Sequence, residues 1–217
     1  MNLDTSLIEL GRVDIVALRT AVLSLDADAW SLDKADRVAL AGDRPGDAIF
    51  LYNDTPATFD RCTLDEARAT GIVNVLRNMQ HPLFDVVDRL IETAIRPTYP
   101  HCDTLRVQIA DLPPGAAIGR HRDDGILAAI HRLHVPIVTN ADVVFEIDDA
   151  PYTLAEGTMY ELNNVAPHAV RNTGTQRRIH LLVDMLPNAI GRCAYHDDRR
   201  AMGVAVIRTR IACAPRS

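Results

Sequence analysis

The chain has few of the features that would place it in several common classes of protein. Its four cysteines, at positions 62, 102, 193 and 213, form no C-x-x-C pair and are too widely spaced for a zinc ribbon. No disulfide framework of a secreted protein is recognisable, so we expect reduced thiols and a cytoplasmic location. The N-terminus lacks a basic segment, and Asp4 and Glu9 interrupt any apolar run. We therefore expect no signal peptide.

Positive charge and long apolar runs are also scarce. The formal net charge is -6, and no basic stripe is visible, which argues against a nucleic-acid-binding surface. No run of about 18 apolar residues exists that could cross a bilayer, and no repeats or low-complexity segments occur. A chain of 217 residues, of which 47% are hydrophobic, is expected to form one domain with a sizeable core.

Residues 1–104 are expected to form a support region of helices and strands. The turn signal Arg44-Pro45-Gly46-Asp47 precedes the strand-like stretch 48–52. The strongest helical pattern begins at Pro82 and is stopped by Pro97, with apolar residues at helical spacing between them. We expect this helix to pack across the back of a sheet.

From residue 105 the pattern changes to short strands separated by turns. Strand-like stretches occur at 105–110, 132–138, 143–147 and 179–185. Short strands at this spacing predict a β-sandwich or barrel, of which a jelly roll is one form. We therefore assign 105–187 to a β core within a single domain spanning 1–217. Residues 188–217 are expected to be a tail or lid, with a strand-like stretch at 204–211.

The tripeptide His121-Arg122-Asp123 is the strongest sign of chemistry. Residues i and i+2 of a strand point to the same side, so His121 and Asp123 can bind one ion together. His168, 47 residues further on, could complete the site from a strand that returns beside them. Two histidines and a carboxylate suit iron(II) and leave the opposite face of the metal open. Alone, H-x-D is a short pattern that also arises by chance in a chain with eight histidines.

Two R-x-H patterns strengthen this interpretation. Arg132 and His134 lie 11 and 13 residues after His121, and Arg178 and His180 open an apolar strand ten residues after His168. A single arginine at a strand end usually reaches solvent. A guanidinium buried at the mouth of an apolar barrel, however, needs an anionic partner, and its fork matches a carboxylate. Together the patterns predict an oxygen-activating iron enzyme that uses the dicarboxylate 2-oxoglutarate.

The stretch 105–187 resembles the aspartyl/asparaginyl β-hydroxylase family of iron(II)- and 2-oxoglutarate-dependent oxygenases. The similarity covers roughly 80 residues and rests on a combination of short motifs. These are Pro114-Gly115, His121, Arg132-Leu133-His134-Val135-Pro136, Glu156-Gly157, Asn163-Asn164, His168 and Arg178-Ile179-His180-Leu181.

The resemblance implies a mainly β protein with flanking helices, built on a double-stranded β-helix, a cupin-like jelly roll. It implies that His121 and His168 bind iron and that Arg178 binds the distal carboxylate of 2-oxoglutarate. Arg132 and His134 are expected to bind the carboxylate nearer the metal. Fe(II), 2-oxoglutarate and O2 are thus the implied cofactor and co-substrates, with succinate and CO2 as products.

The chain departs from the animal members of the family at two positions. Those enzymes have no carboxylate in the first motif, whereas this chain has Asp123, which we expect to be a third metal ligand. In this it is similar to the bacterial proline cis-4-hydroxylase type, and Asp123 argues against a halogenase, which needs that position vacant for halide. Ala110 stands where the animal enzymes carry a hydroxyl group that helps to bind 2-oxoglutarate. We expect Gln108, on the same strand, to contribute instead.

The expected activity is hydroxylation of an unactivated C–H bond in an amino acid or a small molecule derived from one. Three alternatives remain open from sequence: a cupin-type metalloenzyme that does not use 2-oxoglutarate, a hydroxylase of Asp or Asn in a protein or peptide, and a non-catalytic module that binds a small ligand. A zinc hydrolase is disfavoured, because no general base is evident near a bound water. We expect no nucleic-acid or membrane partner, and the sequence leaves the oligomeric state open.

Overall fold

Strands dominate the protein. The computed structural model describes residues 3–31, 46–54 and 62–197. The strands in these ranges are β1 (Leu7–Arg12), β2 (Ala48–Asn53), β3 (Ile72–Arg77), β4 (Cys102–Leu112), β5 (Ala117–His121), β6 (His131–Val138), β7 (Val143–Ile147), β8 (Ala150–Tyr152), β9 (Thr158–Leu162), β10 (His168–Asn172), β11 (Arg178–Pro187) and β12 (Arg192–Asp197).

Helices flank the strands and occur mainly in the first hundred residues. They are α1 (Val16–Leu23), α2 (Ala27–Ser31), α3 (Leu64–Thr70) and α4 (Phe84–Leu90), with a π-helical turn at Ile91–Ile95 and a 3-10 turn at Gly125–Ala129. The start of α3 is set by a capping box, in which Thr63 Oγ1 accepts from the Glu66 backbone N–H and the Glu66 carboxylate accepts from the Thr63 N–H. The helix predicted after Pro82 is confirmed, with its last turn widened into π geometry.

The order of the strands identifies a double-stranded β-helix. One sheet has the order β1-β9-β6-β11-β4-β2-β3-β12 and the other the order β5-β10-β7-β8. From β4 to β11 the chain crosses from one sheet to the other at every connection except the β7–β8 hairpin. This is the winding of a jelly roll. The predicted fold class, mainly β with flanking helices around such a core, is confirmed.

The outer face of the larger sheet is apolar and carries the helices. Its central strands contribute fully buried aliphatic side chains: Leu105, Val107, Ile109, Leu133, Val135, Leu181 and Val183. They form one core cluster with Leu18 and Val22 of α1 and with Val87 of α4. The helices therefore pack across the back of the sheet, as the sequence predicted for α4.

The inner face of the same sheet carries polar groups at positions that alternate with the apolar ones. In the register of β4, β11 and β6, Arg106 lies beside Asp184 and Asp184 beside Arg132. One step along the barrel, Gln108 lies beside Leu182 and Leu182 beside His134. A strand that reads as apolar over 179–185 therefore directs its few polar residues into the barrel.

Segments on both sides of the core join the larger sheet. β1 pairs with β9 and β2 pairs with β4, both antiparallel, whereas β12 runs parallel to β3 at the far edge. No helix in the described part of the chain is long and apolar enough to cross a membrane. Residues Arg44 and Pro45 of the predicted turn, and the predicted strand at 204–211, lie outside the described residues.

Candidate metal centre

Three side chains predicted to bind metal come together at one end of the barrel. His121 ends β5 and His168 begins β10, and the two residues are direct partners in the register of these strands. Their ring centroids are 4.3 Å apart. Asp123 follows β5, where its backbone N–H donates to the Asn164 carbonyl at 2.9 Å. One potential ligand atom from each of the three residues lies within 4.8 Å of the others.

Hydrogen bonds to backbone carbonyls orient both imidazoles. His121 Nδ1 lies 2.8 Å from the Gly119 oxygen, and His168 Nδ1 lies 3.0 Å from the Ala166 oxygen. Each Nδ1–H therefore donates, and each Nε2 keeps its lone pair for a ligand. Burial lowers the pKa of His168, which favours the neutral form that binds metals.

Asp123 is held as a carboxylate. Burial opposes its ionisation, but the charge of Arg132, followed by smaller effects of His168 and Asn164, outweighs burial and lowers the pKa of Asp123. Two imidazole nitrogens and one anionic oxygen on the same side of a site form a donor set that fits iron(II). The residues present therefore fit the metal that the sequence predicted.

The guanidinium group of Arg132 donates a hydrogen bond to this carboxylate. Its Nη1 donates to Asp123 Oδ2, and its Nε and Nη2 each donate at 2.9 Å to one oxygen of Asp184. Burial alone would lower the pKa of Arg132, but the two carboxylates, Asp184 first, raise it. Sequence reasoning missed Asp184. It could have been found from its position, because Asp184 lies an even number of residues after Arg178 and His180 on the same strand and its side chain therefore points to the same side of the sheet.

Asn164 supports the same carboxylate from the other side. Its Nδ2 donates to Asp123 Oδ2 at 3.2 Å and to the backbone carbonyl of Leu127 in the 3-10 turn. The side chain of its neighbour Asn163 instead donates to the Leu3 carbonyl at 3.1 Å. Asn164 therefore contacts the metal centre, whereas Asn163 binds the N-terminal segment.

We expect Asn164→Ala to weaken metal binding about 10–100-fold, the usual effect of removing a group that orients a ligand. The loss follows because Asp123 would lose one of its two side-chain hydrogen-bond donors. Calorimetric titration with Mn(II), a redox-inert stand-in for iron(II), measures the affinity. Asn163→Ala is the matched control and should leave it unchanged. If Asn163→Ala weakens metal binding as much as Asn164→Ala does, the side chain of Asn164 affects metal binding only through the general stability of the fold.

Deeper in the barrel, Arg178 is buried and forms no ion pair with an acidic side chain among the described residues. Its Nη2 donates to His180 Nδ1 at 2.9 Å, and its guanidinium carbon lies 5.2 Å from the ring centroid of Phe145. Its Nε has no hydrogen-bond partner in the described part of the chain. Burial lowers the pKa of Arg178 to about 9, although the charge of Asp111 opposes this shift.

Two histidines complete this polar pocket. His134 and His180 are packed edge to face, with ring centroids 5.9 Å apart, and the ring of Phe145 stacks on His180. Burial, followed by the charge of Arg178, lowers the pKa of both far below the ordinary value, so both are neutral. His134 Nδ1 and His180 Nε2 lack hydrogen-bond partners among the described residues. Buried polar atoms are rarely left unpaired, so these atoms and Arg178 Nε fit an acidic ligand such as 2-oxoglutarate.

The remaining residue predicted for the site, Gln108, also lies on the inner face of the larger sheet. Gln108 is partly buried on β4, and in the register only Leu182 separates it from His134. It shares the barrel interior with Arg178 but makes no contact that assigns it to a ligand. Its contribution to 2-oxoglutarate binding remains a prediction.

Comparison with known proteins agrees with this arrangement. The family model described as aspartyl/asparaginyl beta-hydroxylase matches residues 76–187, a range that includes every predicted site residue. No curated protein sequence matches the chain.

Solved structures that are similar include a cupin domain from Bordetella pertussis Tohama I, with 20% identity over 38% of this chain and 82% of that one and a TM-score of 0.32. A predicted oxalate decarboxylase from Thermotoga maritima has 18% identity over 42% of this chain and 72% of that one, also with a TM-score of 0.32. A Cupin 2 conserved barrel domain protein from Salinispora arenicola has 15% identity over 39% and 65%, with a TM-score of 0.31.

Proposed function

Because the chain belongs to the aspartyl/asparaginyl β-hydroxylase family, we propose that it is an iron(II)- and 2-oxoglutarate-dependent dioxygenase. It hydroxylates an unactivated C–H bond in an amino acid or a small molecule derived from one. The observation that carries the proposal is the presence, inside one barrel, of a His-Asp-His cluster and a buried guanidinium that forms no ion pair within the part of the chain that the structure describes. The first fits a metal with open coordination positions, and the second fits the far carboxylate of a dicarboxylate.

His121, Asp123 and His168 would hold the iron, through two Nε2 atoms and one carboxylate oxygen. When bound, iron(II) and 2-oxoglutarate supply the oxidant derived from O2, and succinate and CO2 are the by-products. The protein provides the geometry: Asn164 and Arg132 fix the direction of Asp123, and backbone carbonyls fix both imidazoles.

Arg178, His134 and Arg132 would orient the co-substrate. Arg178 offers its unpaired Nε to the distal carboxylate. His134 and Arg132 would contact the carboxylate nearer the metal, and the Arg132 atom available for this is Nη1, which donates to Asp123 here. Phe145, whose ring lies beside Arg178 and His180, belongs to an apolar cluster that would limit the access of water to this pocket: Leu112, Val143, Phe145, Ile147 and Leu162. A dry pocket strengthens each charge interaction and keeps solvent from the reacting carbon.

A cupin-type metalloenzyme that does not use 2-oxoglutarate would need the metal ligands but not Arg178. The cost of burying that guanidinium alone, several kcal/mol, argues against a fold that keeps it without a ligand. Hydroxylation of Asp or Asn in a protein or peptide remains the second candidate, favoured by the description of the family that matches.

The proposal is tested by anaerobic addition of iron(II) and 2-oxoglutarate to the purified protein. We expect a weak visible charge-transfer band with 2-oxoglutarate and none with succinate, which lacks the 2-oxo group. Admission of air together with a panel of amino acids should then yield succinate above the background. A protein that binds iron but gives no band at millimolar 2-oxoglutarate would contradict the proposal and favour the metalloenzyme without 2-oxoglutarate.

A further inference from the structure

A cavity adjoins the metal centre at the same end of the barrel. Its volume is about 670 Å³, within the range of about 300–1,000 Å³ that is usual for sites of small molecules. Its lining comes from the N-terminal segment 3–6, Arg122, Ala128, Asp148 and residues 163 and 165–167. None of the residues assigned above to iron or to 2-oxoglutarate lines it, so the cavity is distinct from that site.

The cavity and the metal centre share a wall that is formed by two chain segments. In the segment 121–123 the two outer residues belong to the metal centre, whereas Arg122 between them lines the cavity. In the segment 163–168 the side chains of Asn164 and His168 belong to the metal centre, and the other residues line the cavity. A ligand in the cavity therefore contacts both segments that carry the metal ligands.

Hydrogen bonds attach two charged residues of the cavity to the second of these segments. Arg122 Nη1 donates to the Val165 carbonyl at 3.3 Å, and the Asp148 N–H donates to the Pro167 carbonyl at 2.9 Å. Pro167 directly precedes His168. A ligand that restrains Arg122 and Asp148 therefore also restrains the segments that position the metal ligands.

The charged side chains of the cavity differ from their neighbours in forming no ion pair. Arg122, Asp4 and Asp148 are exposed, and in the described ranges none of them lies within ion-pair distance of an opposite charge. The neighbouring residues Arg120 and Asp149 do pair with each other, with Nη1 and Oδ1 2.9 Å apart. One guanidinium and two carboxylates thus line the same cavity without neutralising one another.

The chemistry of these groups selects the kind of ligand. The guanidinium fork of Arg122 fits a carboxylate. Ammonium groups carry donors only and fit the carboxylates of Asp4 and Asp148. A molecule with one acidic and two amino groups therefore matches the three charges of the cavity. An acidic molecule would meet two like charges for each opposite one.

We propose that this cavity binds a short basic peptide, with its terminal carboxylate at Arg122 and its amino groups at Asp4 and Asp148, and that the bound peptide strengthens metal binding. The peptide is an effector and not the substrate of the proposed dioxygenase. Its binding is independent of the proposed function, and only the coupling rests on the metal centre. Because coupling between two sites is reciprocal, the metal should strengthen peptide binding by the same factor.

Peptide binding is tested by calorimetric titration of the purified protein with lysylglycine, glycylglycine and aspartylglycine. Lysylglycine should bind most tightly and aspartylglycine most weakly. Nα-acetyl-lysylglycine amide, which lacks both terminal charges, should bind at least about tenfold more weakly than lysylglycine, because it loses hydrogen bonds between charged groups. Absence of binding at millimolar lysylglycine, or equal binding of lysylglycine and aspartylglycine, would overturn the site.

Two variants with matched controls locate the peptide. Arg122→Met and Asp148→Asn should each weaken lysylglycine binding about tenfold or more. Arg120→Met and Asp149→Asn are the controls, because these residues are of the same types and pair with each other. Asparagine also tolerates the left-handed backbone of the two aspartates, with φ of 51° and 66°. Equal losses in the variants and their controls would show that the peptide does not bind at Arg122 and Asp148.

The coupling is tested by titration with Mn(II) in the presence and absence of saturating lysylglycine. The peptide should raise the affinity of the wild-type protein for Mn(II) about fivefold or more, and this increase should be lost in Arg122→Met. An unchanged affinity with peptide bound would overturn the coupling. A protein that binds lysylglycine through Arg122 but forms no charge-transfer band with iron(II) and 2-oxoglutarate would refute the dioxygenase and keep the peptide site.

Discussion

His168→Ala is expected to abolish substrate-dependent formation of succinate. His168 supplies one of the three ligand atoms of the proposed metal centre, and it lies directly across the β5–β10 register from His121. Removal of a residue that merely supports a ligand weakens metal binding about 10–100-fold, so removal of the ligand itself should cost at least about 100-fold. Calorimetric titration with Mn(II) measures the affinity, and succinate is quantified after addition of iron(II), 2-oxoglutarate and the amino-acid panel.

His101→Ala provides the control for this substitution. His101 is exposed and directly precedes β4, outside the barrel, so its replacement should change neither metal affinity nor succinate yield. His168 is buried, and its alanine variant must therefore be shown to be folded by circular dichroism. A folded variant that reaches full turnover with added iron would remove His168 from the metal site.

The grouping of the three proposed metal ligands could be predicted from sequence in part, because two of them are close in the chain. His121 and Asp123 are two residues apart, and although β5 ends at His121 and Asp123 follows it, so short a separation keeps both side chains at the same end of the barrel. His168 could not be placed by any local rule, since it depends on the pairing of β5 with β10. Its prediction relied on the similarity of several motifs to one family, and the observed register brings it opposite His121.

The supporting groups could not be predicted because they depend on strand register. Asp184 meets Arg132 only through the alignment of β11 with β6, and the sequence shows it simply as the end of an apolar run. Asp54 reaches Arg106 across 52 positions (106 − 54), after a register shift between Phe50 and Tyr52 that changes which side of β2 faces inward. A single β-bulge of this kind moves the side chains that follow it to the opposite face of the strand. The alternation of apolar and polar residues then no longer predicts which of them point inward.

The buried charge of Arg178 lowers the free energy of unfolding of the ligand-free protein. Burial lowers the pKa of this guanidinium from its ordinary value to about 9. A base whose pKa is lower in the folded protein destabilises the fold while it is charged in both states, which holds below pH about 9. From about pH 9 up to the ordinary pKa of arginine, the unfolded chain binds the additional proton, so the stability contributed by this group rises with pH. At neutral pH the buried charge costs on the order of a few kcal/mol, and an anionic ligand offsets that cost.

Arg178→Met should therefore separate stability from co-substrate binding. Methionine is of similar length and uncharged, so the unfolding temperature without ligand should be unchanged or higher, while the apparent affinity for 2-oxoglutarate falls about 100-fold or more. Titration of the charge-transfer band measures the affinity, and thermal unfolding with and without 2-oxoglutarate measures its stabilisation, which the variant should lose. Arg177→Met is the control. Arg177 is the neighbouring arginine, but its side chain is exposed and forms an ion pair with Asp111, with Nε and Oδ1 3.0 Å apart. An unchanged affinity, or a large loss of stability in the ligand-free variant, would mean that Arg178 serves the fold and not an anion.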